Sequence, residues 1–187
     1  YTFLEPIWGS GGNSQHPNYD VALGDAYLQE IYNSVKDSQY WEDTLLIITY
    51  DEHGGCYDHV TPPTNATSPS PDTKSEAFGF DFTRFGIRVP TVLISPWIEA
   101  GTVHRASGKV PFDHTSILAT LESLFGLDPL TDRDKAAEDV LAALTLDKPR
   151  TDDPIEGVVA PTADKSVTFE PHASCVQHMH AGALAAK

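Results

Sequence analysis

The chain has 187 residues, of which 40% are hydrophobic and 21% charged, a composition typical of a globular domain with its own core. Its net charge of −15 excludes a broad basic surface for nucleic acid, because phosphate backbones are bound through Lys and Arg. The sequence contains no apolar run of about 18 residues, so it predicts no membrane-spanning helix.

The predicted elements alternate between helix and strand along the chain. Apolar spacing and β-branched runs predict, in chain order, a helix over 20–38 with Asp20 as its N-cap, a strand over 44–50, a strand over 89–95, and helices over 115–125 and 132–146. A long loop rich in Gly, Pro, Ser and Asp separates the strands over 54–88. This order predicts an α/β fold in which both strands are buried in a parallel sheet.

The end of the first predicted strand carries a dense group of ionisable side chains. Asp51 and Glu52 are adjacent, and His53, Asp58 and His59 follow within the next seven residues. Neighbouring carboxylates repel each other unless a cation lies between them, and Mg²⁺, Ca²⁺, Mn²⁺ and Zn²⁺ are candidates. Because ligands of parallel sheets bind beyond the strand ends, this group predicts a metal or active site. An acidic surface turn without a ligand is the simpler alternative.

Two other histidines are candidates for the same site. His114 stands at the start of the helix predicted over 115–125, where Asp113 can cap the helix and an anion is favoured. His16 precedes Pro17, which restricts it to an extended conformation. Either histidine alone is more typical of an ordinary surface residue, and its meaning depends on the cluster at Asp51 and Glu52.

Several stretches together resemble a known phosphoesterase family. The first is Thr44–Val60, which reads TLLIITYDEHGGCYDHV, and the others follow a fixed order along the chain: Gln15-His16-Pro17, Arg88-Val89-Pro90, Ile94-Ser95-Pro96-Trp97 and Phe112-Asp113-His114-Thr115-Ser116. The family they resemble contains the non-haemolytic, phosphatidylcholine-type phospholipases C and a set of secreted acid phosphatases. The resemblance covers roughly residues 1–130.

The resemblance implies an alkaline-phosphatase-like fold, with a large, mostly parallel sheet flanked by helices. It also implies metal-dependent phosphate-ester hydrolysis through a covalent phospho-enzyme. Asp51 and Glu52 match adjacent metal ligands of the family, and His16 matches a histidine of the phosphate pocket. His114 is expected to contact phosphate or act as an acid. The remaining candidates are expected on the substrate side of the site: His53, His59 and Arg88.

The resemblance further implies that the chain is the C-terminal half of a larger enzyme. Residues 1–146 would belong to the phosphoesterase domain, and 147–187 would form an extended tail. The family nucleophile belongs to an N-terminal half, and neither Ser10 nor Ser14 matches its motif. We therefore expect the 187-residue chain alone to be inactive and poorly stable; full turnover by the purified chain would contradict this.

The remaining features leave alternatives open. The substrate could be a phosphate monoester or a phospholipid, and a non-catalytic binding or surface protein that retains the fold is a third possibility. Phenylalanines of the long loop could face a lipid or anchor the loop: Phe78, Phe80, Phe82 and Phe85. Asn65 begins a glycosylation sequon, which favours a secreted or extracellular protein. Cys56 and Cys175 could pair with each other or with cysteines elsewhere.

Overall fold

The computed structural model describes residues 1–75 and 78–164, which fall into two compact units. The first unit contains Tyr1–Trp41 and the described residues from Asp152 onward, and the second is Glu42–Thr151. The elements are helices α1 (Val21–Lys36), α2 (Thr115–Phe125) and α3 (Asp132–Ala136), strands β1 (Leu46–Thr49) and β2 (Thr91–Ile94), and short 3₁₀ turns at Trp41–Asp43 and Leu141–Ala143. Residues 147–164, the described part of the predicted tail, contain no helix or strand; Cys175 lies outside the described residues.

The first unit is built on α1, which confirms the helix predicted over 20–38. Asp20 is its N-cap, and its side chain accepts a hydrogen bond from Ala22 N, as its position predicted. The buried Tyr32 donates its hydroxyl to Asp153 Oδ1 at 2.8 Å. Gln29 Oε1 accepts from Ala160 N at 2.9 Å, so the chain after Asp152 lies along this helix.

The second unit contains β1 and β2, which pair antiparallel, and the described residues do not show the parallel sheet predicted around these strands. Leu46 pairs with Ile94 and Thr49 with Thr91, whose hydroxyls are 2.8 Å apart. A parallel pair needs a crossover connection, usually a helix. The described residues between the strands, 50–75 and 78–90, contain no helix.

The strands are also less buried than their sequences predicted. All four residues of β1 are half-buried, and Thr91 and Val92 of β2 are exposed. Apolar, β-branched runs predict strands buried on both faces, but burial requires neighbouring layers. In the described residues the sheet consists of these two strands alone, so part of its apolar surface is uncovered.

Helix α2 coincides with its prediction, whereas the helix predicted over 132–146 ends at Ala136. The chain becomes extended at Ala137, with φ −75° and ψ 143°. The next residue, Glu138, accepts hydrogen bonds from Ser107 N at 2.9 and 3.0 Å. This tertiary contact fixes the chain direction after α3. It could not be predicted from the helical spacing of apolar residues, because it depends on a residue distant in sequence.

The loop predicted over 54–88 has no helix or strand in its described part, yet it is organised. Ala66 N donates to Thr83 O at 3.0 Å, and Phe85 N donates to Pro63 O at 2.9 Å, so its two limbs pair with each other. Its phenylalanines divide: Phe80, Phe82 and Phe85 are half-buried, whereas Phe78 is 90% exposed. Three of the four rings therefore anchor the loop.

A search of the described residues for a helix long and apolar enough to cross a membrane finds none.

Candidate active site

Asp51 and Glu52 lie just beyond the last residue of β1, and both are exposed. Each carboxylate accepts one local backbone hydrogen bond: Asp51 Oδ1 from Glu52 N at 3.0 Å, and Glu52 Oε2 from Gly54 N at 2.9 Å. These contacts leave most of the oxygen lone pairs open, because a carboxylate can accept about four hydrogen bonds. Both groups are placed to bind a ligand at the strand end.

A glycine turn directs the chain away from the strand. Gly54 and Gly55 have φ values of 63° and 75°, in the left-handed region that side chains with a Cβ rarely adopt. The turn is closed by Cys56 N, which donates to His53 O at 3.0 Å. The glycine pair therefore makes a sharp turn, and Cys56 is exposed beside it.

His53 has a buried ring nitrogen without a partner. Its Nδ1 has no hydrogen-bond partner among the described residues, and its Nε2 lies 3.9 Å from Glu52 Oε2. An orphaned buried polar atom costs free energy unless a further group completes it. The ring therefore marks a place where the site lacks a partner from the described part of the chain.

Asp58 and Arg88 form an ion pair between the two limbs of the long loop. Arg88 Nε and Nη2 donate to the two carboxylate oxygens of Asp58 at 2.7 and 2.8 Å. These hydrogen bonds hold the pKa of Asp58 well below its usual range. His59 Nδ1 is 3.7 Å from the same carboxylate, and its side chain is 81% exposed. Two donor groups of the Arg88 guanidinium are therefore occupied by Asp58, and the His59 side chain is largely exposed to solvent.

His114 is brought to the same strand end from the start of α2. Its Nε2 lies 2.6 Å from Tyr50 O, the carbonyl directly before Asp51. Since a carbonyl only accepts, Nε2 must carry the proton in this contact. The hydrogen bond fixes the ring orientation and leaves Nδ1 as the other functional nitrogen.

The side chain of Asp113 makes the capping contact with α2 that was predicted for it, although the N-cap position itself is His114, whose side chain makes no cap hydrogen bond. Asp113 Oδ1 accepts from Thr115 N at 2.8 Å, and its own backbone N donates to Ser116 Oγ at 3.2 Å. The second oxygen, Oδ2, accepts from Arg133 Nε and Nη2 at 3.0 and 2.7 Å. The residue before His114 is thus held by both the helix start and a cation.

His16 belongs to the other unit, Tyr1–Trp41, and its surroundings are local. Its backbone N donates to Ser14 Oγ at 3.0 Å, and its Nδ1 contacts Asn18 Oδ1. Of the predicted site residues, Asp51, Glu52, His53 and His114 share one strand end. Asp58, His59 and Arg88 lie further along the loop.

Asn65 is exposed in the long loop, where the sequon predicted an accessible position. Its side-chain nitrogen donates to Lys109 O at 3.1 Å. A glycan on this nitrogen would have to replace that hydrogen bond.

A divalent cation fits the strand end only in part. Asp51 and Glu52 offer the carboxylate oxygens that hard cations prefer, and the orphaned Nδ1 of His53 is in the same loop. Across residues 1–75 and 78–164, no three His, Cys, Asp or Glu side chains converge in a way that could hold an ion. The donor set is incomplete in the described residues, and further ligands would have to lie outside them.

Two features of this site have no signal in the sequence. The carbonyl of Tyr50 belongs to the backbone, so no residue type marks its contact with His114. Arg133 lies twenty positions after Asp113, on a different helix, and its role depends on how α2 and α3 pack. A partly buried guanidinium requires an acidic partner, but the sequence does not identify which one.

Comparison with known proteins places this strand–loop–helix arrangement in a family. Residues 1–128 match the Phosphoesterase family. That range contains the strand end, the long loop, β2 and α2, and it covers more than half of the chain. The chain therefore belongs to the phosphoesterase family.

Relatives of the chain include phospholipases C of a plant and of bacteria. The chain is 44% identical over 168 residues to non-specific phospholipase C6 of Arabidopsis thaliana, covering 82% of this chain and 32% of that protein. It is 42% identical over 165 residues to non-specific phospholipase C4 of the same plant, covering 82% of this chain and 30% of that protein. Identity to the non-hemolytic phospholipase C of Burkholderia pseudomallei is 35% over 124 residues, 60% of this chain and 17% of that protein. The chain spans about a third of the length of the plant relatives.

Proposed function

We propose that the protein containing this chain hydrolyses phospholipids as a phospholipase C, cleaving the bond between the phosphate and diacylglycerol. The observation that carries the proposal is the family match over residues 1–128, which contains the whole cluster at the end of β1 together with His114. The names of the relatives favour phospholipase C over acid phosphatase. Phosphate-ester hydrolysis is the chemistry common to both.

We propose that Asp51 and Glu52 supply two ligands of a divalent cation. Their position beyond the strand, their exposure and their open lone pairs support this role. When bound, such an ion would neutralise charge on the phosphoryl oxygens and make a nearby hydroxyl more acidic. Among the described residues, the ion pairs of Lys and Arg involve neither carboxylate.

The histidines would handle the phosphate and the leaving group. With Nε2 of His114 donating to Tyr50 O, a protonated Nδ1 could donate to a phosphoryl oxygen or to the departing alkoxide. His16 is proposed as a second phosphate contact, and His53, with its unpartnered Nδ1, as a third. Arg88 and His59 would attract the anionic substrate from the loop, with Arg88 acting alongside its pairing to Asp58.

We place the nucleophile outside this chain, in an N-terminal segment of the same protein. Its hydroxyl oxygen would form a bond to phosphorus while the bond from phosphorus to the diacylglycerol oxygen breaks. The leaving oxygen takes a proton, and water then cleaves the phospho-enzyme to restore the hydroxyl. That segment would also add strands to the sheet. β1 and β2 would then be an antiparallel part of a larger, mostly parallel sheet, as mixed sheets contain.

Secretion and glycosylation at Asn65 are part of the same proposal. The exposed sequon on an organised loop supports them. A fall in mass after deglycosylation, absent in Asn65→Gln, tests this directly in protein collected from the medium. An unchanged mass would remove the glycan from the proposal.

The test of function compares two chromogenic substrates on the full-length protein, each with and without a chelator. p-Nitrophenyl phosphorylcholine represents the phospholipid diester, and p-nitrophenyl phosphate represents a monoester. We expect faster release from the diester, and we expect the chelator to abolish it. Activity restored by adding back one cation at a time would identify the metal.

The other outcomes select the alternatives. Preference for the monoester would identify an acid phosphatase that uses the same chemistry. Release that is insensitive to the chelator would remove the cation from the mechanism. No release from either substrate, from folded protein that still binds the metal, would favour a non-catalytic binding protein that retains the fold.

A further inference from the structure

Arg133, on α3, is the centre of a contact set that joins three separate segments. Its Nε and Nη2 donate to Asp113 Oδ2 at 3.0 and 2.7 Å, and its Nη1 donates to Phe82 O at 3.0 Å. The guanidinium carbon also lies 5.0 Å from the ring centroid of Phe85. The side chains of Arg133 and Asp113 are 19% and 17% exposed, so this pair is largely removed from water.

Such a contact set fixes geometry more strongly than an exposed ion pair does. The guanidinium is planar, and its donors diverge at fixed angles, so three polar contacts define its orientation. The face of the Phe85 ring restrains it from a further direction. An exposed pair on flexible side chains contributes little by comparison.

The carboxylate of Asp113 transmits this constraint to the start of α2. One oxygen accepts from Arg133, while the other accepts from Thr115 N at 2.8 Å and also from the Thr115 hydroxyl. A carboxylate bound on both oxygens cannot rotate without losing one set of hydrogen bonds. The backbone of His114 lies between Asp113 and Thr115, so its direction is set on both sides.

The same cation holds a strained point of the long loop. Phe82 has a φ of 63°, an unusual conformation for a residue with a Cβ, and its carbonyl is an acceptor for Arg133. A strained residue persists only where its surroundings over-determine it. Arg133 therefore locks the loop carrying Phe82 against the helix that presents His114.

We propose that Arg133 is a positioning residue that fixes the His114 imidazole at the end of β1. It acts through Asp113: Arg133 orients the carboxylate, the carboxylate sets the first turn of α2, and that turn delivers Nε2 of His114 to Tyr50 O at 2.6 Å. The consequence for catalysis rests on the function proposed above for His114. The placement of the ring does not, and it can be measured separately.

The first test follows the His114 ring without using activity. Nuclear magnetic resonance of the full-length protein with ¹³C-labelled histidine, at fixed pH, gives the His114 ring signal, assigned by its loss in His114→Ala. Arg133→Lys keeps the charge but loses the planar fork. We expect it to shift and broaden the His114 signal while the melting temperature stays within a few degrees of wild type.

Two further variants make this test specific. Asp113→Asn can still accept from Thr115 N, but its amide group cannot accept from Arg133 on the other side, so it should move the His114 signal in the same way. Arg84→Lys is the matched control. Arg84 is exposed and belongs to the long loop that also carries Phe82, and its guanidinium carbon lies 5.6 Å from the ring centroid of Phe80. An unmoved His114 signal in Arg133→Lys and Asp113→Asn would overturn the proposal.

The second test is a double-mutant cycle on kcat with a short-chain phosphatidylcholine. We expect Arg133→Lys to lower kcat about tenfold with little change in KM, since ring displacement acts on the reacting geometry. In the His114→Ala background the same substitution should cost less than about twofold. Equal losses in both backgrounds would mean that Arg133 does not act through His114. If His114→Ala alone leaves kcat unchanged, the proposed role of His114 fails, while the ring signal still decides the positioning.

Discussion

At the scale of single residues, the acidic groups near β1 behave in two ways. Asp58 is bound by a bidentate guanidinium, whereas Asp51 and Glu52 receive only local backbone hydrogen bonds in the described structure. The bidentate pair of Asp58 joins the two limbs of the loop, whereas Glu52 has only His53 Nε2 nearby, at 3.9 Å. Pairing with an arginine thus distinguishes Asp58 from the two candidate metal ligands.

The pairing of Asp58 predicts how stability depends on pH. The pKa of Asp58 is lower in the folded protein than its ordinary value of 3.8, which applies to the unfolded chain. The stabilisation is therefore fully present above that unfolded value and is lost as the pH falls toward the folded one. We expect Asp58→Asn to lower the melting temperature of the full-length protein at pH 7, and to flatten its decline below about pH 4.

The control for this measurement is Asp72→Asn, which changes an exposed carboxylate of the same loop. It should leave both the melting temperature and its acid limb close to wild type. If Asp58→Asn and wild type show parallel acid limbs, the hydrogen bonds from Arg88 do not set the ionisation of Asp58.

The candidate site residues were selected from the sequence by their residue type and by their position next to a predicted strand or helix. Their hydrogen-bond partners could not be predicted in this way. Asp51, Glu52 and His53 follow a strand directly, so chain connectivity alone places them at its end. The approach of His114 to Tyr50 O spans 64 residues, and no local rule fixes such a distance. The sequence analysis expected Arg88 on the substrate side of the site and did not predict its ion pair with Asp58. That pair also depends on how the loop folds back.

At the scale of elements, α2 connects the site to the rest of its unit. It begins at the capped turn that carries His114, and it ends at Gly126, whose φ of 63° closes the helix. Three residues of α2 are buried, namely Ser116, Ala119 and Thr120. Thr120 Oγ1 accepts from Val140 N at 3.1 Å, which ties the middle of the helix to the chain after α3.

Gly126→Ala tests the helix end. A Cβ at this position would meet no atom within 4 Å, so the cost would come from the left-handed backbone alone. We expect a loss of about 1 kcal/mol in the free energy of unfolding, measured by urea denaturation of the full-length protein. Gly86→Ala, also in open space but with no positive φ, should change it by less than about 0.5 kcal/mol. Equal effects of the two substitutions would contradict this assignment.

Helices α1 and α2 could be predicted from sequence features that lie within or next to them. The cap at Asp20 and the apolar spacing of α1 and α2 gave helices with bounds close to those observed, because capping and amphipathicity act within a few turns. The antiparallel pairing of β1 with β2 was not predicted, and the predicted end of the third helix was wrong. Both depend on contacts distant in sequence: the pairing of Thr49 with Thr91, and the hydrogen bonds of Glu138 to Ser107.

At the scale of the whole molecule, the chain spans about a third of its plant relatives. Its two-stranded sheet is only half-buried, and its candidate metal site has an incomplete donor set in the described residues. A group of exposed apolar side chains also spans the last turn of α2 and the residues after it: Leu124, Phe125, Leu127 and Leu130. These features support the proposal that other parts of a longer protein complete both the sheet and the site.

The family and its general chemistry could be predicted from the sequence because they depend on residues close together in the chain. Asp51 to His59 form one uninterrupted block, and the other landmarks keep a fixed order. Metal identity and head-group preference depend on distances between segments, which no local pattern specifies. The nucleophile is proposed to lie outside this chain.

The most direct test of the central claim is the turnover of a short-chain phosphatidylcholine by the full-length Asp51→Ala variant. Asp72→Ala, which removes an exposed carboxylate of the long loop, is the control. We predict that kcat/KM for release of phosphocholine falls by more than about 100-fold in Asp51→Ala. Mutation of residues that only hydrogen-bond to metal ligands already lowers metal affinity or activity by about 10- to 100-fold. Asp72→Ala should match wild type. An Asp51→Ala variant with wild-type turnover would mean that the end of β1 is not the active site.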